Sequence, residues 1–336
     1  MKAKIIGTPL GLSEWTIAPA FQEKVAIEGN PSTIYLTGMQ ATHAQHGEMI
    51  GSAASLFSFP EKNAYYELIE RIAIVESMAR PRFVLRHETN GHIVGEVAGD
   101  LVFPPSSSEQ IRHAKSNGVA LYSNWPEACR RAAMELVERH LILASWLGMT
   151  KPALMRGVAK SPLHGLSSLY SVEHYDFGQQ KVSSLPTALY VTGVILKPRV
   201  ASAPLILGCG AGQSQAESIQ KAEGETWQRL GFLWGEEIPQ EEPEFAAHQL
   251  YHQEFYLYPK NHARIEAWLR GDFYEERKAR SWPLLHMSFA DLSIEGAADF
   301  RVAKALAAEA IPLVFGLNRE GYFADLDEER LIHPIA

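Results

Sequence analysis

A short charged sequence occurs twice in this chain with one conservative exchange, and a weaker copy follows. Residues 67–71 are Glu-Leu-Ile-Glu-Arg, residues 135–139 are Glu-Leu-Val-Glu-Arg, and residues 225–229 are Glu-Thr-Trp-Gln-Arg. Each copy lies in a segment with the hydrophobic periodicity of a helix. Positions i, i+3 and i+4 share one face of a helix, so each copy presents two acidic or amide groups beside an arginine. The sequence therefore predicts three helices, each with a charged ridge.

These ridges have two interpretations. A solvated helix face is one of them, because glutamate and arginine at this spacing stabilise each other by roughly a few tenths of a kcal/mol. The near-identity of two copies favours the other, a shared cation site, since two carboxylates at i and i+3 repel unless a positive charge lies between them. Oxygen ligands suit Mg²⁺, and four glutamates on two helices can hold more than one ion. With arginines alongside, such a cluster suits a nucleoside triphosphate.

Standard phosphate-binding motifs are missing from the chain. No Gly-x-x-x-x-Gly-Lys-Ser/Thr sequence occurs, which excludes a Walker-type site. The glycines at 208, 210 and 212 stand between a strand-like run and a helix, as in a dinucleotide-binding loop, but Gln213 replaces the third glycine. We interpret this segment as a tight strand-to-helix turn, with Ser214 as the N-cap of the helix rather than as a hydrolase nucleophile.

Histidine and cysteine give little sign of a metal or redox centre. His43 and His46 stand three apart beside Glu48 without a recognisable third ligand, so hydrogen-bonding or surface positions are favoured over a zinc site. Cys129 and Cys209 are the two cysteines of the chain, and we expect both to be reduced and structural.

Hydrophobic patterns and turn residues outline the secondary structure. The predicted helices are Pro60 to Ala79, Ser123 to Leu147, Ser214 to Leu233 and Phe300 to Glu309. The predicted strands are Lys4 to Ile6, Val25 to Ile27, Thr33 to Thr37, Phe83 to Arg86, His92 to Val97, Thr187 to Leu196, Ala203 to Leu207 and Ile311 to Phe315. No low-complexity tract or clear linker divides the chain.

Composition narrows the class of protein. The net charge of −8, from 31 basic and 39 acidic residues, argues against a general nucleic-acid or membrane-surface binder. The longest apolar stretch, Leu141 to Met149, is far shorter than the ~20 residues of a membrane-spanning helix. No secretory signal is recognisable at the N-terminus, so a cytoplasmic protein is expected.

Taken together, these motifs make the chain similar to members of the YcaO family, from about Gly51 to the C-terminus. Ala64 to Arg71 match an alanine-containing helix with Glu-x-x-Glu-Arg. Ser116 to Ala120, followed by Glu127-Ala128 and Glu135 to Arg139, match the pattern Ser-Asn-Gly, Glu-Ala and Glu-x-x-Glu-Arg. Gly210 to Gly212 and Lys221 to Glu225 match a glycine turn before a helix with basic-Ala-x-x-Glu.

The resemblance implies an α+β fold, in which mixed or antiparallel sheets pack with helices that carry a non-Walker ATP site. It also implies a single YcaO-like domain over 1–336, with residues 1–50 as its N-terminal strands. The residues it assigns to ATP binding are Glu67, Glu70, Arg71, Ser123, Glu127, Glu135, Glu138, Arg139, Lys221 and Glu225. The Mg²⁺ ligands it implies are Glu67, Glu70, Glu135 and Glu138.

Two positions depart from the family pattern. Leu121-Tyr122-Ser123 replaces an Ala-Gly-Asn sequence, so Ser123 or Asn124 must supply the polar contact there. Lys221 replaces an arginine and would bind phosphate as a point charge without bidentate geometry. The sequence identifies no catalytic base.

The activity that the resemblance implies is ATP-dependent activation of backbone amides in a ribosomally made precursor peptide, giving thiazoline or oxazoline rings by cyclodehydration. A thioamide-forming enzyme and a catalytically weak scaffold subunit are the alternatives. The expected partners are the precursor peptide, a leader-binding protein of the same synthetase and, as an optional component, a flavin-dependent dehydrogenase. An oligomer or hetero-complex is expected, without nucleic acid or membrane.

Overall fold

The structure is a computed structural model, and it describes residues 12, 14–27, 32–106, 108–158, 161–294 and 299–335. The α-helices in these ranges are α1 (Glu61–Ser77), α2 (Gly99–Val102), α3 (Trp125–Trp146), α4 (Gln215–Leu233), α5 (Gln249–Leu257), α6 (His262–Arg270) and α7 (Glu328–Leu331). The strands are β1 (Thr16–Ile17), β2 (Phe21–Ala26), β3 (Thr33–His43), β4 (Gly47–Ser55), β5 (Arg82–Arg86), β6 (Ile93–Ala98), β7 (Ile111–His113), β8 (Val119–Tyr122), β9 (Ala153–Leu154), β10 (Tyr170–Gln180), β11 (Leu189–Pro198), β12 (Ile206–Gly212), β13 (Ser288–Asp291), β14 (Arg301–Leu306) and β15 (Val314–Gly316).

The strands form antiparallel sheets. In the first sheet, β3 pairs with β4, β2 and β1. The second sheet has the order β12-β11-β10-β9, and the third has the order β6-β5-β13-β14-β8. A short two-stranded sheet joins β15 to β7. The expected α+β class with antiparallel sheets is confirmed.

Each of the three predicted ridge helices packs on a different sheet. Helix α1 lies on β3 and β4, α3 lies on β8 and β14, and α4 lies on β11 and β12. The helices bury their apolar stripes in these contacts, which leaves the charged ridges at the sheet edges. The predicted N-cap Ser214 is confirmed, and Asn124 caps α3 in the same way, because each side chain accepts the N–H of the residue three positions ahead.

Two segments differ from the sequence-based prediction. Residues 300–309, predicted as a helix, form strand β14, which is buried on both faces between β13 and β8. The glycines at 208, 210 and 212, predicted as a turn, lie within strand β12. A Cβ at Gly208 would stand 2.2 Å from Thr226 Oγ1, so these glycines allow α4 to pack directly on the strand.

Other predicted elements stand as follows. The helices around α1, α3 and α4 and the strands around β5, β6 and β11 are confirmed within a few residues. Strand β2 begins earlier than predicted, β3 continues to His43, and β12 overlaps its predicted range only at 206–207. The strand predicted at Ile311 to Phe315 is present only as the short β15. The predicted strand Lys4 to Ile6 lies outside the described residues. None of the helices in the described ranges is long and apolar enough to cross a membrane.

Candidate functional site

Helix α1 directs the first pair of glutamates at two different sheets. The Glu67 carboxylate accepts the backbone N–H of Ser52 on β4 at 3.1 Å and pairs with Arg71 at 2.6 Å. One turn on, Glu70 accepts the N–H of Leu121 on β8 at 2.9 Å. The i, i+3 spacing therefore lets one helix reach the edges of two sheets.

Helix α3 contributes the second pair. Glu135 accepts the backbone N–H of Val119, two residues before Leu121 on the same strand. Glu138 is buried and lies 3.7 Å from the Nε of Arg139. Glu70 and Glu135 are thus held side by side along β8, although they are distant in sequence.

Helix α4 supplies the third copy of the pattern. Glu225 accepts the N–H of Cys209 on β12 at 3.3 Å and pairs with Arg229 at 3.1 Å. The Nζ of Lys221 donates to the carbonyl of Ala211 at 3.0 Å and pairs with Glu217 at 3.0 Å.

The leading glutamate of each copy, at 67, 135 and 225, therefore accepts an N–H from an edge strand. Within the described part of the chain, β4, β8 and β12 each pair with a neighbour on one side only. An N–H at a sheet edge has no partner on a neighbouring strand, and a carboxylate gives it a charge-assisted bond. The N–H of Val119 is also bonded to the carbonyl of Ser116 at 3.0 Å. These three edges meet in one place, since Glu70 interacts electrostatically with Glu135, and Glu135 and Glu138 both interact with Glu225. We call Glu67, Glu70, Glu135, Glu138 and Glu225 the carboxylate cluster.

Burial raises the pKa values of three members of this cluster, Glu70, Glu135 and Glu138. Desolvation, followed by the charge of Glu135, raises the pKa of Glu70 from 4.5 to about 8. Desolvation also raises the pKa of Glu135 to about 7, against the lowering effect of Arg139 and Lys304. The pKa of Glu138 rises for the same reason, with Glu225 adding to it. Desolvation is the largest cause at each of these three positions, and neighbouring carboxylates add to it.

Two basic groups lie within this environment. Burial lowers the pKa of Arg139, but the charges of Glu138, Glu225 and Glu135 outweigh it, so the net shift is upward. Lys304 on β14 is buried, and desolvation lowers its pKa to about 8 while Glu135 opposes that change. Sequence reasoning missed Lys304 because it lies in the segment predicted as a helix. Its position between alanines in an alternating Val-Ala-Lys-Ala-Leu run was the available signal.

The first turn of α3 forms the other end of the site. Glu127 accepts from Arg130 at 2.7 Å and from Arg131 at 2.8 Å, and hydrogen bonding from Arg130 is the main reason that its pKa falls to about 2. Arg130 also lies 3.6 Å from Glu217 of α4. Ser123 is exposed beside the capping Asn124. A cavity of about 640 Å³ opens here, lined in part by Asn124, Glu127 and Arg130.

The donor set fits a nucleotide-bound Mg²⁺. In the part of the chain that the structure describes, no group of three or more His, Cys, Asp or Glu side chains is arranged as a metal site by itself. Mg²⁺ in nucleotide sites is bound through one or two carboxylates together with water and phosphate oxygens, so a closed protein cage is not required. Glu70 and Glu135, half-buried with raised pKa values and with arginines nearby, could provide the protein share of such a site.

The histidines and cysteines considered in the sequence analysis make packing contacts rather than forming a metal site within the described residues. His43 and His46 stack on each other and on Trp15, and His43 pairs with Glu14 at 3.2 Å. Cys129 and Cys209 are buried free thiols, as expected.

Comparisons with known proteins agree with this geometry. The sequence model of one family, described as YcaO cyclodehydratase, ATP- and Mg²⁺-binding, matches residues 97–314. No sequence match is found among curated proteins. The structure of YcaO from Methanopyrus kandleri bound with AMPPCP and Mg²⁺ has a TM-score of 0.56 at 16% identity, covering 88% of this chain and 86% of that one.

Two further solved structures are similar. The E. coli microcin synthetase McbBCD complex gives a TM-score of 0.54 at 11% identity over 86% of this chain and 87% of that chain. A heterocyclase in complex with substrate and cofactor gives 0.51 at 12% identity, over 88% of this chain and 50% of the other. At such identities the likeness is one of fold.

Proposed function

The chain belongs to the YcaO family, and from that premise we propose that it is an ATP- and Mg²⁺-dependent peptide cyclodehydratase. Its substrate would be a ribosomally made precursor peptide. A Cys, Ser or Thr side chain of that peptide would add to the preceding backbone carbonyl, and loss of the carbonyl oxygen would leave a thiazoline or oxazoline ring.

The carboxylate cluster is the observation that carries this proposal. Its glutamates come from three helices, and they are close enough that neighbouring carboxylates contribute to the raised pKa values of Glu70, Glu135 and Glu138. Burying ionised carboxylates close to one another costs free energy, and a bound divalent cation offsets that cost. A purely structural set of edge-capping groups would be served as well by neutral side chains.

We assign roles to the residues on this basis. The proposed Mg²⁺ ligands are Glu67, Glu70, Glu135 and Glu138. The proposed phosphate-binding groups are Arg71, Arg139 and Lys221, with Glu225 beside them. Ser123 and Glu127 are proposed to face the rest of the nucleotide at the cavity by the first turn of α3.

When bound, ATP would phosphorylate the amide oxygen. That oxygen would then leave as phosphate, which is a better leaving group than water. The contribution of the chain is positioning and charge. Arg139 is half-buried among carboxylates that hold it protonated, so its guanidinium is available as a fixed cation for phosphate oxygens. The backbone bonds from β4 and β8 fix Glu67, Glu70 and Glu135, which limits the reorganisation needed on binding.

We further propose that residues 1–336 form one YcaO-like domain that works in a hetero-complex. A leader-binding protein would deliver the precursor peptide, and a flavin-dependent dehydrogenase would oxidise the rings where azoles are made. The fold similarity to a subunit of a microcin synthetase complex supports such an assembly.

Calorimetric titration with ATP, with and without Mg²⁺, tests the nucleotide site. We expect Mg²⁺-dependent binding that is lost in Glu135→Gln and Glu138→Gln. Glu96→Gln is the matched control, because Glu96 is an exposed partner of Arg82 on β6. No binding by the folded wild-type chain, alone or with its partner, would contradict the proposal and favour the scaffold role.

Product mass tests the reaction class. With a partner and a precursor peptide, cyclodehydration removes one water per ring, whereas thioamide formation exchanges one oxygen for sulfur. Sulfur incorporation would refute the cyclodehydratase assignment while leaving the ATP site intact.

A further inference from the structure

A second cavity of about 480 Å³ lies beside the third sheet, between β14 and residues 307–313. Most of its wall is apolar and includes Leu85, Val97, Leu101, Leu136, Leu306 and Leu313, while the polar part includes Asn117, His286, Lys304 and Glu309. The side chain of Leu101 is 66% exposed, so the cavity presents an apolar side chain to solvent. Pockets of this size and lining accept small molecules or short peptide segments rather than folded domains.

The cavity borders the carboxylate cluster. Leu136 in its wall directly follows Glu135, and Lys304 in its wall interacts electrostatically with Glu135. The Nζ of Lys304 donates to the carbonyls of Lys115 and Asn117, at 2.9 and 2.8 Å. Lys304 and the turn that leads into β8 therefore lie between the wall of the cavity and Glu135.

Two side-chain oxygens in the wall, one on Asn117 and one on Glu309, lack a hydrogen-bond partner within the described ranges. The side-chain oxygen of Asn117 is buried and makes no hydrogen bond with any residue in the described ranges. A buried amide group without a partner is costly, unless a ligand supplies the missing hydrogen bond. Because an amide end can be turned to accept or to donate, its natural complement is a peptide unit, which offers both an N–H and a carbonyl.

We propose that this cavity is a subsite for an apolar residue of the peptide substrate, with Asn117 hydrogen-bonded to the peptide backbone beside that residue. The inference rests on the proposed function and adds a preference to it. Leucine-like side chains next to the modified residue bind here, and polar ones do not.

Nucleotide is a poorer occupant of this space than peptide. Phosphates need several free cationic donors, whereas Lys304 already donates to two carbonyls. The apolar wall and the single unpartnered amide oxygen suit an aliphatic side chain attached to a backbone.

Two blocked pentapeptides, Gly-Leu-Ser-Leu-Gly and Gly-Asn-Ser-Asn-Gly, test the subsite by ligand-observed NMR titration of the full chain. Leucine and asparagine are close in size, so the pair isolates polarity. We expect the leucine peptide to bind at least about tenfold more tightly, the scale of discrimination for an apolar pocket. Equal affinities, or no binding of either peptide at millimolar concentration, would overturn the subsite.

Substitutions in the chain locate the binding. Ala308 is exposed in the cavity wall, so Ala308→Phe fills the cavity without disturbing the core. It should weaken the leucine peptide about tenfold. Ala201→Phe, at an exposed turn, is the matched control and should change nothing. Undiminished binding in Ala308→Phe would place the peptide elsewhere and refute the inference.

Parallel titration of the same proteins with Mg²⁺ and ATP separates this inference from the proposed function. Ala308→Phe should bind nucleotide like the wild type. Nucleotide binding without leucine preference overturns the subsite alone, whereas a wild-type chain that binds no nucleotide overturns the function on which it rests.

Discussion

Replacing Glu135 with glutamine should have opposite effects on stability and on ligand binding. Glutamine keeps an oxygen that can accept the N–H of Val119 but removes a negative charge from beside Glu70 and Glu225. If the carboxylate exists to bind a cation, the metal-free variant should be more stable than the wild type where the wild-type carboxylate is ionised.

The magnitude follows from the pKa. The rise of the Glu135 pKa from 4.5 to about 7 favours the protonated folded form by about 3 kcal/mol at most. Since Glu135 is only half-buried, solvent screening reduces this to about 1–2 kcal/mol. A raised pKa means that the wild-type stability is complete below pH 4.5 and declines as the pH rises through about 7.

Urea unfolding in a metal chelator, at about pH 5 and about pH 8.5, measures this. Glu135→Gln should match the wild type near the lower pH and exceed it by about 1–2 kcal/mol at the higher pH. Glu127→Gln is the control on the same helix. The pKa of Glu127 is lowered to about 2, so its stabilising effect is present above 4.5, and its removal should destabilise the chain at both pH values.

One result of the unfolding experiment would refute this reasoning. If Glu135→Gln destabilises the metal-free chain to the same extent at both pH values, the carboxylate is an edge cap required for folding, and the reasoning from charge fails.

Three further outcomes are expected. The Mg²⁺-dependent affinity for ATP should rise between about pH 6 and pH 8.5 in calorimetric titrations, because cations compete with protons for Glu70 and Glu135, whose pKa values are about 8 and about 7. Gly208→Ala should lower the free energy of unfolding by about 2–4 kcal/mol in urea melts, since its Cβ would overlap Thr226, whereas Gly224→Ala on the open side of α4 should raise it by about 0.5–1 kcal/mol. Lys304→Met should cost about 2–3 kcal/mol in the same assay by leaving two buried carbonyls without a donor, whereas Lys62→Met, on the exposed side of α1, should change stability little.

Local signals in the sequence were sufficient for the three ridge helices. Periodicity gave their extents, and the capping residues Asn124 and Ser214 marked two of their starts. These signals act over a few residues, so they can be recognised in the sequence without knowledge of the tertiary structure.

The misjudged segments depend on tertiary contacts. Alanines in 300–309 favour a helix by propensity, but burial between β13 and β8 makes the segment a strand with Lys304 on one face. The glycines of β12 suggest a turn until α4 is placed against them. In both cases the deciding partner is remote in sequence.

The carboxylate cluster shows the same limit. The repeat predicted the candidate glutamates, but only the fold shows that Glu67, Glu70 and Glu225 contact three different sheet edges. The backbone donors Ser52, Leu121 and Cys209 carry no side-chain signature, so sequence reasoning could not have named them.

The third copy of the repeat fits this electrostatic account. It keeps the leading glutamate, Glu225, which accepts an edge N–H as Glu67 and Glu135 do, but has Gln228 where the other copies have a second carboxylate. Glu225 already raises the pKa of both Glu135 and Glu138. Another carboxylate here would add repulsion without an edge donor to satisfy, whereas an amide keeps the polarity at no charge. The edge-capping role is therefore common to all three copies, and the excess charge is confined to the two that face the proposed metal.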